Sequence, residues 1–351
     1  MNKRQKDVQQ TFLDSEKEVL EKLEKNYKDA LEEINDKIAI LLGRNDATAQ
    51  HVVYQVEFQK SLKKQIEVIL EKLHSKEFET VSEYLTQSYE DGFIGTMYDL
   101  QGQGIPLVFP IDQEQVVAAI QHETKLSENL YNSLGKDVKV LNKQIAAEIS
   151  RGISSGMMYG KIARNVANVS QIPRNNAMRI ARTESHRIQC KAAMDVCYKA
   201  KDKGAEVLKE WNAALDARTR ESHIRVDGER QELDKKFSNG LMYPGDPSAR
   251  AEEVINCRCA LNQRARWALD LEETASLGDV FKMSDERKKT IAKKLNIPVD
   301  EIEQYSKQIV PIKAKDYKDF KRQYNQIWHY EGSDLQKQAE ARIASYRKGK
   351  K

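Results

Sequence analysis

Leu13, Leu20, Tyr27, Ile34 and Leu41 stand seven residues apart in a stretch otherwise built mainly from Lys, Glu, Asp and Gln. Leu23, Leu31 and Ile38 fill the alternate steps of three and four, so the first forty residues carry one apolar stripe on a polar helix. A chain that opens this way must fold as packed helices, because the stripe needs an apolar neighbour to cover it. Gly43-Arg44-Asn45-Asp46 supplies a stop, and Asp46 or Thr48 a cap, for a second helix with Leu62, Ile66, Ile69 and Leu73 on one face. Residues 1–90 therefore predict a helical hairpin or bundle that docks to a partner; the heptad run is too short for an isolated coiled coil. Composition agrees: 32% of the 351 residues are charged and 7% aromatic, against roughly 25% charged in an average domain. A net charge of +4 excludes a histone-like polycation. No apolar run approaches the roughly 18 residues of a membrane span. The basic start lacks the apolar segment of a secretory signal. Four cysteines in such a chain make no disulfide framework, and a reducing, intracellular origin is expected.

Further along, residues 91–134 form a Gly/Pro-rich connector with short helices. Gly92, Gly95, Gly102, Gly104, Pro106 and Pro110 cluster there, and Phe93-Ile94 and Leu107-Val108-Phe109 read as short extended pieces. Helical periodicity returns over 135–204, with Val138, Leu141, Ile145, Ile149 and Ile153 on one face. Gly152, Gly156 and Gly160 mark a tight corner, and Pro173 opens a helix running to about Lys203. Residues 205–265 change character: a strand at Glu206–Trp211, polar turns over 216–228, a Tyr-Pro-Gly-Asp-Pro loop at 243–247, and a strand at Cys257–Asn262. The predicted fold is mostly α, with this small C-terminal α+β module. Residues 266–351 form a charged helical tail, with helical pieces near 284–295 and 315–328. Within 310–351 eleven basic residues face five acidic ones, a net of +6. Such a tail is solubilising, or suits sequence-independent phosphate contact through Arg342, Arg347, Lys348, Lys350 and Lys351.

Residues with chemical capacity concentrate between 182 and 259. Cys257-x-Cys259 on a strand would place both sulfurs on one face, and His223 could join them to hold zinc. Asp227, His186 or a water would then be the fourth ligand. The spacing is not that of a standard finger or ribbon, so small buried groups are the simpler reading of the two thiols. Cys190 and Cys197, seven apart on a helix, read as core. No Gly-rich phosphate loop or HExxH is present. An enzyme is therefore not expected. The rival enzymatic reading is a nuclease or ADP-ribosyltransferase-like activity on Arg182, Glu184, His223 and Asp227. A second rival is a plain DNA-binding accessory protein.

Several separated motifs carry a resemblance. They are Ala181-Arg182-Thr183-Glu184, Lys209-Glu210-Trp211, Asp216-x-Arg218-Thr219-Arg220-x-x-His223, Asp227-Gly228, Tyr243-Pro244-Gly245-Asp246-Pro247 and Asn256-Cys257-Arg258-Cys259. In this order and spacing they resemble the phage minor head protein family, the Mu F-like or head-morphogenesis proteins of tailed phages. The resemblance covers roughly the middle half of the chain. It implies a structural virion protein present in few copies. Such a protein would associate with the portal vertex during procapsid assembly, in the host cytoplasm, and remain inside the capsid near the portal. It would assist DNA packaging or delivery. The portal protein is the implied partner, with major capsid or scaffold protein and non-specific DNA as further ones, and no membrane. Some relatives fuse the module to toxin domains; none is expected here. Arg182, Glu184, Asp216, Arg218, His223, Asp227 and Asn256 would form a structural polar cluster holding the module together, with no cofactor or with a structural zinc on His223, Cys257 and Cys259.

Overall fold

A computed structural model describes residues 1–42, 51–121 apart from 106, 130–202 apart from 156 and 158, 204–266, 312 and 314–328. Helices α1 (Lys3–Leu42), α2 (His51–Gly102), α3 (Gln113–Gln121), α4 (Leu130–Ser154), α5 (Tyr159–Val169) and α6 (Gln171–Asp202) come first. Strand β1 (Val207–Asn212), helix α7 (Glu221–Ile224), strand β2 (Arg230–Glu232), helix α8 (Ala251–Val254), strand β3 (Ala260–Ala265) and helix α9 (Tyr317–Trp328) follow. Mostly helical with one small sheet, the chain has the predicted fold class. The proposed stop and cap at 43–48, the helical piece at 284–295 and the basic residues from Arg342 to Lys351 lie outside the described residues. Among the described residues no helix is long and apolar enough to cross a membrane.

The chain divides into two compact units. The helical unit comprises Glu16–Tyr84 and Glu123–Arg182. Its α1 face is Val19, Leu23, Tyr27, Ala30, Ile34 and Ile38, all buried, in the steps of three and four of a straight helix. The seven-spaced series follows this face only in part: Leu20 is half-buried and Leu13, in the other unit, is 51% exposed. On α2 the predicted face of Leu62, Ile66, Ile69 and Leu73 is buried. Lys22 meets Glu83 at 2.9 Å and Asn26 meets Thr80 at 3.2 Å, so α1 and α2 run antiparallel. The stripe is thus covered within the chain, and its need for an apolar partner does not by itself require another protein. Gly135 of α4 abuts the His74 ring, and Gly152 abuts Ile162 of α5. A β-carbon at Gly152 would lie 2.5 Å from Ile162, whereas Gly160 has open space around it. Glu77 is fully buried in this unit. Burial pushes its carboxyl up to about 8; the Tyr27 hydroxyl opposes the shift and Asp137 adds to it.

The mixed unit comprises Met1–Ser15, Leu85–His122 and Thr183–Lys351. The glycine cluster predicts extended pieces within 91–102, but α2 continues unbroken through Phe93-Ile94 to Gly102. The reason is packing. A β-carbon at Gly92 would lie 2.7 Å from the Gln189 carbonyl oxygen on α6, and one at Gly95 would lie 2.6 Å from Val8 on α1. These glycines permit close helix contacts instead of ending the helix. Residues 91–101 are buried on every side, so this part of α2 shows no amphipathic period. Its two carboxylates are matched internally: Asp99 accepts from Asn2 and Gln5, and Asp91 from Tyr317 and Lys321 of α9. Leu107-Val108-Phe109 is neither helix nor strand.

The three-stranded antiparallel sheet has the order β2-β1-β3, with Glu210 opposite Arg230 on one side and opposite Asn262 on the other. Just past α2, the Gln103 side chain accepts from the Ala265 N–H at 3.0 Å and donates to the Gln263 carbonyl at 2.9 Å.

Candidate functional site

The mixed unit's functional residues hang on β1. Strand alternation puts Val207, Lys209 and Trp211 on one face, and all three are buried. Trp211 packs edge-on against Phe237 and, with centroids 5.0 Å apart, against His223. Lys209 is fully buried, its Nζ donating to the carbonyls of Leu233 at 3.1 Å and Met242 at 2.8 Å. Burial lowers its ammonium to about 8. Burial also opposes ionisation of Glu210, but hydrogen bonds from Arg264 and Arg230 outweigh it and hold the carboxyl below its ordinary value.

The Tyr-Pro-Gly-Asp-Pro loop lies on α6. Gly245 has a positive φ of 82°, and a β-carbon there would stand 3.2 Å from the Arg187 Cα. Glycine is required on both counts. Asp246 turns the loop by accepting from the backbone N–H groups of Met242 and Ser248, both at 2.8 Å.

Helix α7 presents His223 and the turn after α8 presents the two thiols. Cys257 and Cys259 precede β3 instead of lying on it, because the strand begins at Ala260. Asn256, with φ 53°, directs the chain into this loop. Three anchors hold it: Arg220 donates to the Ile255 carbonyl at 2.6 Å, the Asn256 N–H donates to Thr183 at 3.1 Å, and Arg258 donates to Asp216 at 2.7 Å. His223 Nδ1 lies 3.6 Å from Cys257 Sγ and 3.4 Å from Cys259 Sγ. On its other side Nε2 lies 3.0 Å from Glu253 Oε2, without a hydrogen bond between them, and that oxygen accepts from Ser222 at 2.9 Å. The paired sulfurs split their acidity: hydrogen bonding to its neighbour raises Cys257, and the same bond lowers Cys259. His186 sits on the adjacent stretch of α6, where burial lowers its imidazole to about 4. Its Nε2 has no hydrogen-bond partner among the described residues.

The predicted polar cluster is therefore several local arrangements. Glu184 pairs with Arg187 at 2.6 Å, both buried, and Arg187 also donates to the Ala119 carbonyl. Asp216 accepts from Arg258, from the Arg218 N–H and from Thr219, and the Arg258 bond leads in lowering its carboxyl to about 2. Arg218 contributes that backbone N–H from an exposed position. Asp227 accepts from the Ala213 N–H at 2.8 Å and braces a turn, instead of ligating beside His223. Arg182 belongs to the helical unit, where it meets Glu16 at 2.9 Å. Within the mixed unit Glu184, His223 and Asp227 thus stand beside Arg187, Glu253 and the Ala213 N–H respectively. Cys190 and Cys197 are buried core groups, as predicted. Sequence reasoning names Lys209 and Arg220 only as motif residues, without a role, and passes over Glu253. Only Lys209 has a signal, as a charge on the apolar face of an alternating strand.

The family described as Phage Mu protein F like protein matches residues 143–262, a span holding all of these groups on α6, α7, α8 and the sheet's inner part. The NAD(+)–arginine ADP-ribosyltransferase EFV of Enterococcus faecalis is 27% identical over 262 residues, 74% of this chain. The chain spans 54% of that protein's length. No solved structure matches significantly. Minor head protein GP7 of Bacillus phage SPP1 is 30% identical over 251 residues, which cover 68% of this chain and 80% of that protein. On that likeness, and on the motifs whose packing is described above, the chain belongs to the phage minor head protein family.

Proposed function

We propose that this head protein associates with the portal vertex during procapsid assembly and assists DNA packaging or delivery through protein contacts, without catalysis. The supporting observation is the 30% identity to a phage minor head protein across 80% of its length. The separate partners of Glu184, His223 and Asp227 support a structural role. Since the inward faces of α1 and α2 are already covered, docking by residues 1–90 falls to their outer faces. There Ile40 and Val68 are half exposed, at 52% and 50%.

The test is co-expression with portal, scaffold and major capsid proteins, followed by quantification of this chain in purified procapsids. Ile40→Asp with Val68→Asp should lower incorporation at least tenfold while leaving the circular dichroism spectrum unchanged. Equal incorporation with and without portal protein would sink the portal assignment. Incubation with labelled NAD and an arginine-rich acceptor should transfer no label; transfer above a heat-inactivated control would restore the enzymatic reading.

A further inference from the structure

The geometry points to a structural zinc site in the mixed unit, with His223 Nδ1, Cys257 Sγ and Cys259 Sγ as three ligands and His186 as the fourth. Among the described residues this trio is the one group of three or more such side chains gathered for a metal, its ligand atoms all within 4.8 Å of one another and all three residues buried. The spacing fits a metal. With Zn–S near 2.3 Å and Zn–N near 2.0 Å, tetrahedral angles put nitrogen and sulfur about 3.5 Å apart. The observed separations are 3.6 and 3.4 Å. Without a metal the three atoms are matched as a chain, Cys257 to Cys259 to Nδ1; a cation shared by all three would replace that chain.

The far side of the ring agrees. Nε2 lies 3.0 Å from the Glu253 carboxylate without a hydrogen bond formed between them; a small turn of that carboxylate would let it hold a proton on Nε2 and leave Nδ1 bare for a metal. Edge contact with Trp211 restricts the ring. Two sulfurs and an imidazole favour zinc over magnesium or calcium. Closure of the fourth position by a protein side chain makes such a site structural. His186 lies outside the group gathered within 4.8 Å and is assigned to the fourth position because its buried Nε2 has no other partner among the described residues. Its ring must turn toward the trio to bind.

The experiment uses the full chain purified without an affinity metal. Elemental analysis is combined with titration by Zn²⁺ and by Co²⁺, whose absorption reports thiolate ligation and tetrahedral geometry. One zinc per chain is expected, with thiolate-to-cobalt charge transfer on substitution. Cys257→Ser and Cys259→Ser should abolish stoichiometric binding. His186→Ala and Glu253→Gln should each weaken it about 10–100-fold, and Asp227→Asn should leave it unchanged. The cobalt spectrum of the unaltered chain stands even if a cysteine variant fails to fold. Folded protein that takes up neither ion, or a Cys257–Cys259 disulfide found by thiol counting and mass spectrometry, would overturn the site. Undiminished binding by His186→Ala would overturn its assignment as fourth ligand.

Discussion

The two units are held together in different ways. In the helical unit the cohesive surface is apolar and periodic: Leu23, Ile34, Ile38, Ile66 and Ile145 are all essentially inaccessible, and Glu77 is a polar intrusion among them. In the mixed unit the buried positions around the sheet include Lys209, Glu210, His223, Asp246 and Asn262. The mixed unit also has an apolar core, with Phe93, Ile94, Met97, Ile188 and Val196 buried along α2 and α6, but around its small sheet specific donors, acceptors and thiols are buried as well. An apolar core tolerates exchange among similar shapes, whereas a directional network fails when one partner is removed.

The largest expected effect tests whether the helical unit depends on its stripe. Ile34→Asp places a carboxylate at a fully buried position and should cost more than about 4 kcal/mol. Hydrogen exchange read by mass spectrometry should show reduced protection in 16–84 and 123–182. Retained protection there would mean the stripe is not what holds the unit. Next, Lys209→Met keeps the volume of a buried side chain but strips the donor from the Leu233 and Met242 carbonyls. It should destabilise the mixed unit by about 3 kcal/mol in denaturant unfolding. A neutral or stabilising outcome would show that apolar burial suffices there too.

The third prediction concerns pH. The folded-state carboxyl of Glu77, at about 8, lies above the unfolded value near 4.3. The folded state therefore holds the extra proton, and stability falls as pH rises from about 4.5 to 8 and levels off above. Glu77→Gln removes that loss. It should stabilise the helical unit by about 2 kcal/mol at pH 9 and by little below pH 4.5, as read by thermal melts across that range. A pH-independent difference would place the ionisation elsewhere. The smallest effect belongs to the basic segment. Deleting 341–351, with its five basic residues, should weaken sequence-independent DNA binding and flatten its salt dependence, by about 0.9 in log–log slope for each phosphate no longer neutralised. An unchanged slope would move DNA binding onto the folded units.

The same contrast explains what can be read from the residues in order. The helices at 62–73 and 138–149 are legible because a buried face repeats at the helical period. Helix α2 beyond residue 85 is not, because burial on all sides erases the period, and glycines that mark close packing against Val8 and Gln189 look like breaks. The trio of His223, Cys257 and Cys259 is identifiable from ligand types alone. Its convergence depends on Arg220, Thr183 and Asp216 anchoring the loop, and no spacing announces those contacts. The wider polar cluster is over-gathered by the sequence reading. Glu184, Asp227 and Arg182 are close to it in the motif order but meet Arg187, the Ala213 N–H and Glu16 instead.

Gln103 has a consequence for life in a crowded assembly. A strand edge with free N–H and carbonyl groups is a template onto which another chain can add. On β3 two of those groups, the Ala265 N–H and the Gln263 carbonyl, are taken by one side-chain amide held by the end of a helix. That amide acts as a strand one residue long: it completes the ladder locally and offers no backbone onward. On the opposite margin β2 is three residues long, too short to recruit a neighbour. Both margins of the sheet are therefore poor templates for strand-to-strand aggregation.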